Sequence, residues 1–210
     1  TVVTPDPLVQ CMIDQVDSAT VSLYDRELAG ELPVWVGGEW YTIPTRYTYS
    51  GEPIQRATQY VGEYLQNRGL DVEYHQWYDA TNPNVIGELP GQTNPDDIYI
   101  ICGHLDAVPG SPGADDNGSG SVAVMLAADI LTLYQWNCTL RFALWTGEEQ
   151  GLDGSAAYAQ RAYQQGENIL GVLNLDMIAW NTIGSNPDIS LHARSTMPPT
   201  MQLAQLMADV

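Results

Sequence analysis

The sequence predicts an α/β fold built on a central sheet that is largely parallel. Short apolar runs alternate with segments of helical periodicity from residue 97 onward, and the runs are apolar at successive positions. Strands buried on both faces show this pattern, and helices must then cover both sides of the sheet. The 210 residues, 44% of them hydrophobic, are enough for one substantial core.

The N-terminal half is predicted to supply helices and the first strands. Residues Pro7 to about Leu28 show mixed helical periodicity. The segment "PIQRATQYVGEYLQNRG" begins with Pro53, carries apolar residues at helical spacing and stops at Gly69, which is typical of an amphipathic helix. "DVEYHQWY" alternates as a strand does, and the short apolar runs "NVIGEL" and "DIYIICGHLD" follow it.

The C-terminal half is predicted to repeat strand and helix. A strand at 97–103 precedes a helix at about 118–134, and "TLRFALWT" and "GSAAYAQRAYQQG" give the next strand and helix. "NILGVLNLDMIAW" and "DISLHAR" (residues 188–194) are predicted to be two further strands. Ligands of such sheets bind at the carboxyl ends of the strands, so the polar stretches after these strands are the candidate site.

The charge balance is strongly acidic. Seven basic residues, all of them Arg, stand against 26 acidic ones, and the net charge is −19. This excludes nucleic-acid binding, which needs a basic surface. The acidity is typical of a soluble protein in a salty or extracellular setting, and it also fits a field that attracts cations or cationic substrates. No apolar run reaches the ~18–20 residues of a membrane span, so we expect no membrane partner.

The cysteines bear on the compartment. Their number is odd, so at most one intramolecular bridge forms. Cys102 lies in an apolar run and is expected to be a buried thiol, which leaves Cys11 and Cys138 as the pair that a bridge would join. Such a bridge would fit an exported protein. Because the chain opens on Thr1, we expect a processed or trimmed chain, from which a signal peptide would already be absent.

A histidine and several carboxylates follow three of the predicted strands. They are expected to meet at one edge of the sheet, and carboxylates that cluster in a fold need a cation to offset their repulsion. A set that includes His suits Zn²⁺ or a similar divalent ion better than Ca²⁺, which prefers oxygen ligands. The set consists of His104, Asp106, Asp115, Asp116, Glu148, Glu149 and Asp176.

Each of these residues alone also has an ordinary explanation. An Asp can cap a helix, a Glu pair can be solvated, and a His can be satisfied inside a core. Asp176 fits such an explanation least well, because it interrupts the apolar stretch "GVLNLDMIAW" and a buried, unpaired carboxylate costs several kcal/mol. We therefore predict a metal site.

Three motifs carry a family resemblance. "GHLDAVPGSPGADDNGSG", "WTGEEQGLDGS" and "NLDMI" resemble, in this order, the signature blocks of metallopeptidase family twenty-eight. The family includes secreted bacterial leucine aminopeptidases and, more distantly, glutamate carboxypeptidases and glutaminyl cyclases. The resemblance implies a three-layer α/β/α sandwich with a mostly parallel mixed sheet, the phosphorylase/hydrolase-like zinc exopeptidase fold. It runs from about "TRYTYSG" to the last residue.

The resemblance also implies roles for individual residues. His104 would bind one zinc ion, Asp116 would bridge both, Glu149 would bind the second and Asp176 would complete the first. Glu148 resembles the general base of the family. Two metals ~3.5–4 Å apart can hold a hydroxide nucleophile and polarise the scissile carbonyl, while the base moves a proton to the leaving amine.

Two further features are implied by the resemblance. Asp106 resembles the carboxylate that orients a metal-bound His, and it is counted among the catalytic residues with Glu148. A cis peptide is expected after the bridging carboxylate, between Asp116 and Asn117. The Gly-rich loop would let Asp116 reach between the two cations.

One ligand of the family pattern has no match. The fifth ligand is a His near the C-terminus, whereas His75 lies in an alternating strand and His192 in "ISLHARS" follows Asp176 closely. We therefore expect residues 1–210 to be a single catalytic domain that is incomplete at its C-terminus, with residues 1–45 as a helical lead-in packed on it. A missing C-terminal segment would supply the fifth ligand, and this chain would hold at most one of two zinc ions tightly.

Several functions stay open at this point. The leading one is a secreted or extracytoplasmic di-zinc aminopeptidase that acts on the N-terminal bond of peptides or proteins. A glutaminyl cyclase, a carboxypeptidase-type relative and a catalytically inactive binding homologue are the alternatives. "GHLDAVP" also resembles a second exopeptidase family, in which the bridging Asp lies far downstream, but Asp116 lies close behind His104. The spacing therefore favours the aminopeptidase-like family.

Overall fold

A computed structural model of the chain describes residues 6–182, 184 and 188–208. These residues form two compact units, one of residues 17–179 and one that combines the chain up to Val16 with the chain from Trp180 onward. The second unit contains the helices α1 (Pro7–Ile13) and α6 (Pro198–Ala208). The prediction of a single domain over residues 1–210 stays a prediction.

The unit of residues 17–179 contains the sheet and the helices that cover it. Its helices are α2 (Ser18–Leu28), α3 (Glu52–Gln66), α4 (Gly120–Leu131) and α5 (Asp153–Gln165). Its strands are β1 (Val34–Val36), β2 (Glu39–Tyr41), β3 (Asp71–His75), β4 (Asn84–Leu89), β5 (Asn94–His104), β6 (Cys138–Trp145) and β7 (Asn168–Asn174).

The central sheet has five strands in the order β3-β4-β6-β5-β7. β5 pairs in parallel with both β6 and β7, whereas β4 is antiparallel to β3 and to β6. Four strands therefore run in one direction and β4 runs against them, so the predicted mixed and mostly parallel sheet is confirmed. The carboxyl ends of β6, β5 and β7 are neighbours at one edge.

Helices cover both faces of the sheet, as the three-layer prediction requires. The larger core joins α2, α3 and α4 to one face, and Phe142 of β6 lies fully buried at its centre. On the other face, Tyr158 and Ala162 of α5 pack against Ile86, Ile100 and other sheet residues. In α3, buried residues recur at helical spacing, as the pattern predicted: Ile54, Ala57, Val61 and Leu65.

The structure refines one sequence prediction, contradicts a second and adds a hairpin that was not predicted. The stretch Pro7–Leu28 contains two helices, α1 and α2, and the side chain of Asp17 caps the second by accepting hydrogen bonds from Ala19 and Thr20. Residues 188–194 are not a strand, although "DISLHAR" alternates; Ile189 and Leu191 are exposed. A strand needs a partner for its backbone groups, and the described residues offer this segment none. The hairpin of β1 and β2 was not predicted.

The placement of Asp176 also corrects the sequence analysis. β7 ends at Asn174, and Asp176 follows the strand instead of interrupting it. Its carboxylate is partly exposed, so the argument from a buried strand carboxylate was wrong. Asp176 lies at the edge formed by the carboxyl ends of β6, β5 and β7, because the N–H of Leu175 donates one more hydrogen bond to β5, at the carbonyl of Cys102.

Two smaller findings concern the cysteines and the helices. All three cysteines are free thiols, so Cys11 and Cys138 do not form the bridge considered above, while Cys102 is buried as expected. Among the described helices, none combines the length and the apolar character that crossing a bilayer requires.

Arg46 holds the loop after β5 against the body of the unit. Its side chain is fully buried, and the guanidinium donates hydrogen bonds to the carbonyls of Leu28, Leu105, Pro112 and Gly113. Burial lowers the pKa of Arg46 to about 10, although nearby carboxylates oppose this change. One cation thus satisfies backbone carbonyls from α2 and from both ends of the loop over residues 105–113.

We predict that Arg46→Met destabilises the protein by roughly 3–5 kcal/mol, because it leaves several buried carbonyls without a donor. Urea unfolding of the metal-free chain measures this. Arg26→Met is the matched control, since Arg26 pairs with Glu31 at the surface and its loss should leave the stability nearly unchanged. Equal effects of the two substitutions would contradict the role given to Arg46.

Candidate metal centre

The centre lies where three neighbouring strands end. His104 is the last residue of β5, and it stands in register with Trp145, the last residue of β6. Glu148 and Glu149 follow β6, and Asp176 follows β7 on the other side of β5. The parallel pairing of these strands therefore brings residues that are far apart in sequence to one edge of the sheet.

His104 lies at the buried inner side of the centre. Its Nε2 atom lies 3.1 Å from Oδ1 of Asp116, 3.7 Å from Oδ1 of Asp176 and 4.0 Å from Oε2 of Glu148. Its Nδ1 atom is 3.1 Å from the carbonyl oxygen of Asp106 and 3.6 Å from Oδ1 of the same residue. Asp106 therefore occupies the Nδ1 side of the ring, and Nε2 faces the carboxylates.

Asp106 connects three elements beneath the centre. It is fully buried, and its Oδ2 atom accepts hydrogen bonds from the hydroxyl of Thr48 (2.8 Å) and the N–H of Glu149 (3.2 Å). Its Oδ1 atom accepts the N–H of Glu148 at 3.2 Å. The Thr48 hydroxyl in turn accepts the N–H of Gly147 at 3.1 Å. This carboxylate thus fixes both the His104 ring and the backbone that carries the two glutamates.

The turn Ala114–Ser119 presents Asp116 to His104. The predicted cis peptide between Asp116 and Asn117 is confirmed. The buried amide of Asn117 joins this turn to the segment after β7, because it donates to the carbonyl of Leu175 (2.9 Å) and accepts the N–H of Met177 (3.3 Å). Asp115 and Ser119 add two contacts, accepting the N–H groups of Ala179 and Ile178 respectively. The positions of Asp116 and Asp176 are therefore linked.

Two sets of side chains could hold a metal ion. One consists of His104, Asp116 and Asp176, and the other of His104, Glu148 and Glu149; within each set the candidate ligand atoms lie within 4.8 Å of one another. The Oε1 atom of Glu149 is buried and has no hydrogen-bond partner among the described residues. One imidazole nitrogen with several carboxylate oxygens is a donor set that zinc accepts. The residues fit the ion that the sequence analysis predicted.

The electrostatics reflect this concentration of acids. Burial works against the charged form of His104, but the carboxylates of Asp106, Glu148 and Asp176 outweigh it and raise the pKa of His104 to about 9. Burial and the neighbouring acids raise the pKa of Glu148 and of Glu149, while His104 opposes both shifts. Near neutral pH the metal-free centre therefore holds His104 as the positively charged imidazolium. The carboxylates around it repel one another, and a bound cation would relieve this repulsion.

The structure brings together six of the seven residues that the sequence analysis singled out: His104, Asp106, Asp116, Glu148, Glu149 and Asp176. The seventh, Asp115, accepts hydrogen bonds from the N–H of Ala179 and the hydroxyl of Ser119 instead. The geometry groups Glu149 with His104 and Glu148, whereas the resemblance pairs it with Asp116. Which carboxylate serves which ion stays a prediction. His75 is half-buried beside Asn84 and Tyr158, and His192 is exposed.

Sequence reasoning missed the residues that position the centre. Arg46 and Thr48 lie in "TRYTYSG", but their contacts with the loop after β5 and with Gly147 reach across 58 to 99 positions of sequence, and no local pattern reveals them. Asn117 had a signal, since it directly follows Asp116 in the Gly-rich loop and amide side chains commonly bond nearby backbone groups.

Comparison with known proteins agrees with this geometry. The model of the family described as "Peptidase family M28" matches residues 84–206, more than half of the chain and all of the candidate ligands. A protein named "Probable zinc metalloprotease" from Pyrenophora teres f. teres is 25% identical over 93% of this chain and 44% of its own length. "Leucine aminopeptidase 2" from Trichophyton equinum is 39% identical over 48% of this chain and 20% of its own length.

Solved structures share the fold. The LapA aminopeptidase of Legionella pneumophila has a TM-score of 0.70 at 17% identity, over 85% of this chain and 47% of that one. A glutaminyl cyclase from Bacteroides thetaiotaomicron has a TM-score of 0.60 at 17% identity, over 78% of this chain and 63% of that one. The chain spans about half or less of the length of the curated relatives named above.

We predict that His104→Ala lowers the affinity for zinc by about 100-fold or more, because both candidate ligand sets contain this nitrogen. Competition of the protein with a chromophoric chelator for zinc measures the change. His192→Ala is the matched control, since its ring is exposed and its removal should leave the affinity unchanged. A similar loss in both variants would make His192 a ligand and contradict the described centre.

Proposed function

Since the chain belongs to peptidase family M28, we propose that it carries the zinc centre of an aminopeptidase, which hydrolyses the N-terminal peptide bond of peptides or proteins. The observation that carries this proposal is the convergence of acidic side chains on Nε2 of His104. Because the chain spans only part of its relatives, the proposal concerns the activity to which this centre contributes.

The ligands of the proposed centre combine the geometry with the family resemblance. His104, Asp116 and Asp176 would hold one zinc ion. As the resemblance implies, Asp116 would be shared with a second ion, to which Glu149 would also contribute. The buried Oε1 atom of Glu149 lacks a hydrogen-bond partner among the described residues, as expected for an oxygen that would coordinate a cation. Asp106 orients His104 from its Nδ1 side, the usual role of a carboxylate behind a ligating imidazole.

Glu148 is the group placed to move a proton. Zinc ions bound here would supply polarisation of the scissile carbonyl and acidification of the attacking water. Glu148 is held at its backbone by Asp106, and its Oε2 atom lies 4.0 Å from the ligating nitrogen of His104. It can therefore accept the proton of the attacking water and deliver it to the leaving amine. Its neighbour Glu149 is left free to bind metal.

The shape and charge of the centre suit a peptide N-terminus. His104 is almost fully buried, whereas the side chains of Asp116 and Asp176 are 47% and 43% exposed. The centre thus opens to solvent on its carboxylate side, where a substrate can enter. The free α-amino group of a peptide is cationic near neutral pH, and a cluster of carboxylates in a chain of net charge −19 attracts it.

We predict that Glu148→Gln lowers kcat by about 10²–10⁴-fold in the zinc-loaded protein while its zinc content stays normal, because the amide cannot accept the proton. Hydrolysis of a leucyl peptide and metal analysis of the same sample measure the two effects. Glu149→Gln is the matched control one residue away, and in the zinc-loaded protein it should lose the second ion while it keeps the first. Loss of zinc from the Glu148 variant alone would reverse the roles given to the two glutamates.

We also predict that the 210-residue chain retains about one zinc ion per molecule after dialysis. In the proposed centre His104, Asp116 and Asp176 would serve the first ion. Among the described residues the resemblance assigns only Asp116 and Glu149 to the second, whereas catalytic zinc sites normally have three protein ligands. Elemental analysis of the dialysed chain, with Asp176→Asn as a variant that should retain less, measures this. Two ions held equally tightly would show that a further group completes the second site.

A further inference from the structure

Four aromatic side chains form a row beside the metal centre, which we call the aromatic row: Tyr47, Tyr49, Tyr78 and Trp77. Their ring centroids are separated by 5.8 Å (Tyr47 to Tyr49), 5.6 Å (Tyr49 to Tyr78) and 5.9 Å (Tyr78 to Trp77). The first two contacts are edge-to-face, the arrangement that aromatic pairs prefer. The row joins the segment before α3 to the segment after β3.

One end of the row rests on the chain segment that carries the glutamates. The Nε1 atom of Trp77 donates a hydrogen bond to the hydroxyl of Thr146 at 2.8 Å. Its ring packs against Gly147, where an added Cβ would lie 2.5 Å from a ring carbon. Gly147 also has a φ of 77°, a conformation that favours glycine. Glu148 and Glu149 follow at once, so Trp77 adjoins the centre.

The other end of the row reaches the centre through Thr48. Tyr47 and Tyr49 lie on either side of this residue in sequence, and its buried hydroxyl is hydrogen-bonded to Asp106. Asp153 and Asp106 are near enough to Tyr49 to raise the pKa of its phenol, in addition to the larger effect of burial. The row therefore contacts the segment before Glu148 through Trp77, and Tyr47 and Tyr49 flank Thr48 in sequence.

The middle of the row is open to solvent. Tyr49 is 45% exposed and Tyr78 is 68% exposed, although each touches a neighbouring ring. Two rigid, adjacent and half-uncovered rings can accept a third aromatic ring with little loss of side-chain entropy. The charges near Tyr49 are those of Asp153 and Asp106, so an acidic side chain would be repelled there.

We infer that the aromatic row binds the side chain of the residue that follows the scissile bond, with a preference for aromatic residues. The inference rests on the proposed function. Glu148 delivers the proton to the leaving amine, so the leaving residue lies on the Glu148 side of the centre. That side is flanked by Trp77, which packs on the preceding Gly147. The turn Ala114–Ser119 and Asp176 are joined to each other and contribute the other ligands.

Three dipeptide amides test the inference on the zinc-loaded protein: leucyl-phenylalaninamide, leucyl-alaninamide and phenylalanyl-alaninamide. In Tyr49→Ala and Tyr78→Ala, we expect kcat/KM for leucyl-phenylalaninamide to fall about three- to tenfold. The values for the two alaninamides should change by less than about twofold, since they place no ring on the row. Tyr163→Ala is the matched control, because Tyr163 is 84% exposed on α5.

The outcomes separate this inference from the function on which it rests. An equal fall in kcat/KM for all three substrates overturns the inference. A fall for phenylalanyl-alaninamide alone also overturns it, because the row would then bind the side chain of the N-terminal residue. If the wild type hydrolyses none of the substrates in the presence of excess zinc, the proposed aminopeptidase activity fails for this chain. In that case the affinities of phenylalaninamide and alaninamide are compared by calorimetry. Tighter binding of phenylalaninamide that is lost in Tyr49→Ala and Tyr78→Ala supports the row as a binding site. Equal affinities for the two amides overturn it.

Discussion

The buried carboxylate of Asp106 is the interaction on which the geometry of the centre depends. A charged group without solvent must be compensated, and here hydrogen bonds from Thr48, Glu148 and Glu149 meet this requirement while His104 lies alongside. Because all these partners point at two oxygen atoms, the ends of β5 and β6 and the segment before α3 cannot shift independently. His104 and Glu148, the proposed metal ligand and the proposed general base, are thus placed by the same group.

Arginine side chains connect other elements of the unit, as Asp106 connects the elements at the centre. In residues 17–179, which are described throughout, every arginine has carboxylate or carbonyl partners; Arg141, for example, pairs with Glu88 and Glu167 at 2.6 Å and so links β6 to β4 and to the residue before β7. Arg46 does the same with carbonyl oxygens alone. With few basic residues in a very acidic chain, Arg46 and Arg141 each join separate elements, and the carboxylates left over are available to attract cations.

Much of the fold and nearly all of the candidate ligands could be predicted from the sequence, for identifiable physical reasons. The buried positions of α3 repeat at helical spacing between Pro53 and Gly69, and burial follows that spacing closely. The hairpin of β1 and β2 also had a local signal, the pair Gly37-Gly38 between two apolar runs, which was overlooked. Residues 188–194 alternate like a strand, but alternation cannot tell whether a partner strand exists. The contacts of Arg46 and Thr48 depend on the folded arrangement and had no local signal.

Asn117 gives the carboxylates of Asp116 and Asp176 a fixed mutual spacing before any ion arrives. Its amide ties the two backbone segments together, and Gly120 approaches Leu175 so closely that an added Cβ would lie 2.3 Å from the carbonyl oxygen. For the proposed ion, the two aspartates would therefore act as a pair of ligands that the fold has already brought together. The conformational entropy of bringing them together is lost when the chain folds, so binding of the ion would not incur that loss again. Affinity for the ion and folding of this edge of the sheet would consequently be coupled.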